Sequence, residues 1–442
     1  MFQLLVYVLV AGVSAVVTCG LAWAILKLSH KYRLYPKIRE RDVHTRPTPR
    51  LGGLAMFLGV VVAIGVASQI PAFSLVFTEE RKIWAILGAA AVIVIIGVVD
   101  DIWDLDWLTK LAGQMIAAGV LVFGGVQILS LPIGGITVVS PHISLFITVL
   151  AVVLVMNAVN FIDGLDGLVA GVAIIANGVF FIYSFILQSG GATSSFNMAS
   201  LITAVLIGAC LGFLPLNFHP AKLFMGDAGA LLVGLLMAVS TVLVTGQIDV
   251  EAIDANEFGR GDLLPAFIPI LLPFAILVVP LLDFGLAVIR RLRAGKSPFS
   301  ADRKHLHHRL LDMGHSHLHA VLIFYSWTAV VAVGCLTFMF IPWYWALTCV
   351  VVGLGVAATV TLAPFSRRKR VEAAAQLAQA ADLAKAPAIA TLDPLDAASV
   401  DAETALDAAT ALDAAADADS DSDADGDALA RSRFEPPATT SP

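Results

Sequence analysis

Apolar residues along this chain fall in long blocks, not in alternating stripes. Eleven runs of roughly 20 residues are long enough to cross a hydrocarbon core of about 30 Å as helices. They are Phe2–Lys27, Leu51–Ile70, Ile83–Val99, Leu108–Leu129, Ile143–Val159, Leu168–Leu187, Met198–Pro215, Ala228–Gly246, Pro265–Val288, Ala320–Phe340 and Trp343–Leu362. Period-two alternation does not recur, which argues against a membrane barrel. Ser130–His142, with Gly134 and Gly135, reads as a turn or short hairpin between the fourth and fifth runs. The pattern predicts an all-α polytopic membrane protein with about eleven transmembrane helices. The first run has no small-residue cleavage site and is followed by further spans, unlike a removable signal peptide.

Composition agrees: 58% of the 442 residues are hydrophobic and 14% charged, against about half and a quarter in soluble domains. Cys19, Cys210, Cys335 and Cys349 all fall inside apolar runs, without metal-ligand spacing, and read as small packing residues. Charge sets the orientation. One parity of loops holds Lys31–Arg50, Lys110, Lys222, Arg290–Arg309 and Arg367–Arg370, whereas the other holds Arg81, Lys82 and Arg260 beside the acidic stretch Asp249–Asp262. The basic side is expected in the cytoplasm, with the N-terminus outside and the C-terminus inside a plasma (inner) membrane.

Residues 1–365 read as a transmembrane domain and 366–442 as a cytoplasmic Ala/Asp-rich tail. From Val371 onward, fifteen carboxylates face only Lys385, Arg431 and Arg433. With so few aromatic or branched residues to bury, the tail is expected to be disordered. Its charge outweighs the net −7 of the whole chain, so the membrane body is basic and suited to anionic lipid and phosphate ligands.

Nearly all unusual polar clusters lie on the basic side of the spans. Gly97–Lys110 (GVVDDIWDLDWLTK) carries Asp100 and Asp101 against an apolar helix end, where solvation is incomplete and a metal-ligand or proton-acceptor role is favoured. Asp104 and Asp106, further out, read as structural. Asn157–Gly167 (NAVNFIDGLDG) places Asn157 and Asn160 on one helix face, and its glycines permit a turn that returns Asp163 and Asp166 toward them. Amide and carboxylate oxygens on such a turn suit a hard cation such as magnesium. In Asn217–Gly229 (NFHPAKLFMGDAG), Asp227 starts a span as an N-cap or a ligand, Phe224 is core or a stacking face, and Lys222 is a lone cation. Asp302–Leu311 (DRKHLHHRLL) offers Arg303, His305, His307 and His308. Without cysteine, and among other cations, these fit phosphate and sugar recognition better than zinc. A transporter would more often carry such groups near mid-bilayer; a ring at the inner surface suits a cytoplasmic-face active site for a soluble substrate and a lipid headgroup.

These four strings, with His44–Gly53 (HTRPTPRLGG), resemble the polyprenyl-phosphate N-acetylhexosamine-1-phosphate transferase family, in that family's order and over roughly Met1 to Leu362. The Asp-Arg-x-His-x-His-His string is most similar to the bacterial branch that uses UDP-N-acetylglucosamine. The UDP-MurNAc-pentapeptide branch, which typically has His-His-His-Phe-Glu there, is the alternative, and an anion transporter is the alternative from another class. The resemblance implies transfer of GlcNAc-1-phosphate from UDP-GlcNAc to a polyprenyl phosphate, with release of UMP, as the initiating lipid-linked step of cell-envelope polysaccharide synthesis. It implies magnesium, or manganese, near Asn160 and Asp227. Asp100 and Asp101 would handle the lipid phosphate, Lys110 a phosphate, Asp166 and Phe224 the uracil, and Arg303, His305, His307 and His308 the pyrophosphate or sugar. Asp163 belongs to the same string. The partners expected are UDP-GlcNAc, polyprenyl phosphate and the bilayer, with room for a homodimer and no nucleic acid.

Overall fold

A computed structural model of the chain describes residues 2–32, 48–131, 137–138, 140–189, 194–245, 285–286, 288–293, 295, 310–311 and 315–362. All lie within one compact unit, Met1–Arg368. The helices are α1 (Phe2–Tyr32), α2 (Gly52–Ala67), α3 (Ser74–Phe77), α4 (Glu80–Trp103), α5 (Trp107–Phe123), α6 (Pro141–Ile162), α7 (Leu168–Ser189), α8 (Ser194–Asn217), α9 (Gly226–Thr245), α10 (His317–Thr337) and α11 (Trp343–Leu362). The hairpin expected after the fourth run is present: β1 (Ser130–Leu131) pairs antiparallel with β2 (Thr137–Val138), Ser130 opposite Val138.

Among the described residues, eight helices are long and apolar enough to cross a membrane, and a ninth if α2 and Pro71–Phe77 count as one span. Two expected spans differ. Leu51–Ile70 ends early: its single helix α2 stops at Ala67, and the next helical piece, Pro71–Phe77 beyond the expected run, departs at 96°. Ile70 is extended (φ −97°, ψ 117°), as the residue before Pro71 prefers, and proline has no N–H to continue the ladder. The fourth span is the 17-residue α5, which ends at Phe123 as the chain turns through Gly124 and Gly125. The ninth expected span, Pro265–Val288, lies largely outside the described residues, and the tail 366–442 wholly outside them.

Helix α9 is the hub. It packs against α2, α4, α6 and α8 and is almost wholly buried. Lipid supplies no hydrophobic contrast between helices, so close approach must come from small residues. Gly97 of α4 meets α9 so tightly that a Cβ there would overlap the backbone of Ala228. Around this core, α1 packs on α2 and α8, and α7 on α8 and α10. Several polar groups inside find partners, which offsets the cost of burying them in a low-dielectric interior: Tyr7 donates to Gln188 Oε1 (3.0 Å) and Ser14 to the Val205 carbonyl (2.8 Å). Outward faces are apolar and exposed, as with Phe2, Leu5 and Val16 of α1 and Val351, Val352 and Val356 of α11. Trp103 and Trp107 flank the turn from α4 to α5, while Trp343, Tyr344 and Trp345 open α11, in the manner of aromatic belts at two interfaces.

Candidate active site

Alternating helix directions bring the C-terminal ends of α4, α6 and α8 to the N-terminal ends of α5 and α9. Asp101, 8% exposed, closes the start of α9 from 126 residues away: its Oδ1 accepts from the Asp227 N–H (3.1 Å) and its Oδ2 from the Ala228 N–H (3.4 Å). The first N–H groups of a helix lack intrahelical acceptors, and a carboxylate there also meets the positive end of the helix dipole. Gly226 makes the approach feasible. It has φ +68°, and a Cβ on it would overlap Asp101 Oδ2.

A chain of charges crosses the mouth of the bundle. Asp100, buried at 1% exposure, accepts from the Leu105 N–H through Oδ1 (2.7 Å) and has its Oδ2 2.5 Å from Lys110 Nζ. The same ammonium donates to Asp227 Oδ2 (2.9 Å), and Asn160 Nδ2 donates to Asp227 Oδ1 (3.1 Å). Four helices thus supply Asp100, Asp101, Lys110, Asn160 and Asp227 to one cluster. Lys110 and Asp227 are partly open to solvent, unlike Asp100. One turn deeper, Gln114 of α5 and Asn157 of α6 form a side-chain amide pair. Asn157 and Asn160 therefore take different partners instead of sharing one.

The outer carboxylates are structural, as their distance from the apolar end suggests. Asp104 takes the left-handed conformation (φ 55°) that ends α4. Asp106 caps α5, accepting from the Thr109 N–H (3.1 Å) and hydroxyl. Those hydrogen bonds hold its carboxyl below the usual carboxylate range.

Asp163 and Asp166 separate. Asp163 is exposed where α6 ends. The turn through Gly167 (φ +76°) carries Asp166 inward, not back to the asparagines. Its Oδ2 accepts from His219 Nδ1 (2.8 Å) and from the Ala221 N–H (3.0 Å). Asn217 ties the same turn to the α8–α9 loop, accepting from the Gly167 N–H (3.1 Å) and donating to the Leu223 carbonyl (3.0 Å). Half-buried Phe224 lies on that loop. A backbone ladder fastens it to the start of α2 and the residues just before: the Phe224 N–H donates to the Pro49 carbonyl (2.8 Å), and the Gly52 and Gly53 N–H groups donate to the Phe224 and Met225 carbonyls.

Arg303, His305, His307 and His308 lie outside the described residues, as do His44 and Arg46. Sequence reasoning did not single out Gln114 or Tyr325, whose hydroxyl donates to the Gly167 carbonyl (2.6 Å). An amide and a phenol inside apolar runs were the available signals.

Three carboxylates around a single ammonium leave an excess of negative charge in a partly dry site, which asks for a further cation. The donors are all oxygen, and those of Asp227 and Asn160 are the more open to solvent, which fits a hard divalent ion that keeps waters. Among the described residues no three His, Cys, Asp or Glu side chains are grouped so that they could hold a metal ion by themselves.

The sequence profile of glycosyl transferase family 4 matches residues 83–245, the stretch that holds this cluster. The chain is 43% identical over 365 residues to the decaprenyl-phosphate N-acetylglucosaminephosphotransferase of Mycobacterium tuberculosis, covering 81% of this chain and 89% of that protein. It is 34% identical over 325 residues to a probable undecaprenyl-phosphate N-acetylglucosaminyl 1-phosphate transferase of Bacillus subtilis (73% and 82% covered). It is 31% identical over 297 residues to the undecaprenyl-phosphate alpha-N-acetylglucosaminyl 1-phosphate transferase of Escherichia coli (65% and 72%).

Proposed function

This chain belongs to the polyprenyl-phosphate N-acetylhexosamine-1-phosphate transferase family, and from that premise we propose that it transfers GlcNAc-1-phosphate from UDP-GlcNAc to a polyprenyl phosphate. The observation that carries the reading is the Asp100–Lys110–Asp227–Asn160 chain at one end of the bundle, within the stretch that matches the family. The products are polyprenyl-diphospho-GlcNAc and UMP.

An oxygen of the lipid phosphate attacks the sugar-bearing β-phosphorus, and the bond from that phosphorus to the UMP oxygen breaks, with UMP taking the electron pair. A phosphate monoester is already partly dianionic at neutral pH, with a second pKa of about 6. A carboxylate therefore has little proton to remove, and buried Asp100 serves mainly to orient the nucleophile through Lys110. An ammonium has three N–H donors; two face Asp100 and Asp227, and the third can meet a substrate phosphate. Asp227 and the Oδ1 of Asn160 would hold magnesium or manganese, which when bound supplies positive charge to the pyrophosphate. Asp101 keeps the start of α9, and so Asp227, in place. Asp166 and Phe224 take the uracil, and the Arg303–His308 string takes the pyrophosphate and sugar. The site faces the cytoplasm, with the N-terminus outside and the C-terminus inside, on the strength of the Lys/Arg bias. The lipid enters sideways from the bilayer.

The test is a panel of UDP-sugars offered to purified protein with a polyprenyl phosphate, with and without chelator. UDP-GlcNAc should be consumed, UDP-MurNAc-pentapeptide should not, and chelator should stop turnover until magnesium is restored. Use of the pentapeptide with UDP-GlcNAc inert would move the chain to the other branch. Full activity in excess chelator would remove the metal from the account.

A further inference from the structure

Two stacked imidazoles lie outside the charge chain, and one of them is bonded to a carboxylate that the proposed reaction uses. His219 lies on the α8–α9 loop with its side chain 41% exposed, whereas the side chain of its partner Asp166 is 2% exposed. Because an ionised carboxylate only accepts, Nδ1 of His219 carries the hydrogen in this contact. Both His219 and the Ala221 N–H act on the same oxygen, Oδ2, which fixes the carboxylate plane and the direction of Oδ1. His317, in the first turn of α10, lies flat against His219, with ring centroids 5.3 Å apart and planes within 7°. The same helix reaches the other side of the turn through Tyr325, which donates to the Gly167 carbonyl. Asp166 is therefore held directly by His219 and the Ala221 N–H, while Asn217 and Tyr325 fasten the adjoining Gly167 backbone and His317 backs the His219 ring.

We infer that His219, backed by His317, is a positioning residue that aims the Asp166 carboxylate at the nucleobase and so sets the preference for uracil over cytosine. The inference rests on the assignment of Asp166 to uracil given above. Uracil N3 carries a hydrogen that a carboxylate accepts, whereas cytosine N3 is a bare acceptor that the carboxylate repels. The discrimination depends on the direction of one oxygen, and a carboxylate freed from His219 can rotate away from it. Neither imidazole is placed to touch the reacting phosphates in this scheme, so the effect should appear in nucleotide recognition and not in the chemical step.

The experiment compares UMP and CMP as competitive inhibitors of the purified full-length enzyme, alongside KM and kcat for UDP-GlcNAc. His219→Ala should cut the UMP-to-CMP preference about tenfold or more, the scale of one hydrogen bond to a buried charge, and raise KM while changing kcat much less. His219→Asn, whose amide can donate from nearly the position of Nδ1, should restore most of the preference. His317→Leu, which leaves the His219–Asp166 bond in place, should shift it in the same direction by less. An unchanged preference in folded His219→Ala overturns the inference, and so does a fall in kcat with KM unmoved. If His219→Ala does not fold, an unchanged preference in His317→Leu together with a reduced one in His219→Asn overturns it. Asp166→Asn separates the two layers. If it abolishes the preference while His219→Ala does not, only the positioning role is lost; if neither variant alters it, the uracil assignment falls as well.

Discussion

Lys110 stands between two carboxylates, 2.5 Å from Asp100 and 2.9 Å from Asp227, and removing it leaves both without their cation. Lys110→Met should therefore lower turnover by about 10²–10³-fold, the usual scale for losing one preorganised charge contact at a transferring group. Lys110→Arg should recover little, since a planar fork cannot replace a compact ammonium at two angled carboxylates. Asp227→Asn and Asn160→Ala should show losses of similar size with the protein still folded in membranes, measured as UMP release per folded enzyme. Near-normal activity in both would place the ion elsewhere. These residues were legible in the sequence because a carboxylate or amide at the end of an apolar run is costly and needs a reason. Their partners were not legible. Asp101 closes α9 across 126 residues and Asp166 meets His219 across 53, and such pairings exist only once the helices have packed.

At the scale of the element, the site depends on how closely α4 lies against α9. Gly97 sits where any Cβ would strike Ala228, one turn before Asp101, whose carboxylate caps α9 at Asp227 and Ala228. Gly97→Leu should destabilise the protein by about 1–3 kcal/mol, as overpacking does, and should displace Asp100 and Asp101 together. Its thermal midpoint in detergent and its turnover should both fall. Gly65→Ala on α2, where a Cβ would meet open space, should leave both unchanged. Equal behaviour of the two variants would mean the α4–α9 approach does not hold the site. Helix positions were readable because a run of about 20 apolar residues admits few alternatives. The 96° break after α2 was hidden, because Ser68, Gln69 and Pro71, which follow the apolar stretch, also mark an ordinary loop. The pairing of Gly97 with Ala228 was hidden too, since spacing along one helix does not name its neighbour.

For the molecule as a whole, the account separates a membrane enzyme from an acidic tail. A chain truncated after Arg370 should keep catalysis largely intact, because the Ala/Asp-rich sequence beyond it lacks the residues to build a core. A well-expressed truncation with little activity would make the tail part of the working enzyme. The fold class and the grouping at one end of the three polar strings within the described residues were both readable from the chain, since lipid forces backbone groups into helices and drives charge to the surface. The central claim is that the group transferred is the sugar together with its phosphate, and it is tested most directly by following the β-phosphate. UDP-GlcNAc labelled at that phosphorus should be incubated with the purified enzyme, polyprenyl phosphate and magnesium, and the products separated into lipid and aqueous fractions. The account predicts that the label enters the lipid in step with release of unlabelled UMP. Label that stays in the water as UDP while the sugar alone reaches the lipid would contradict it.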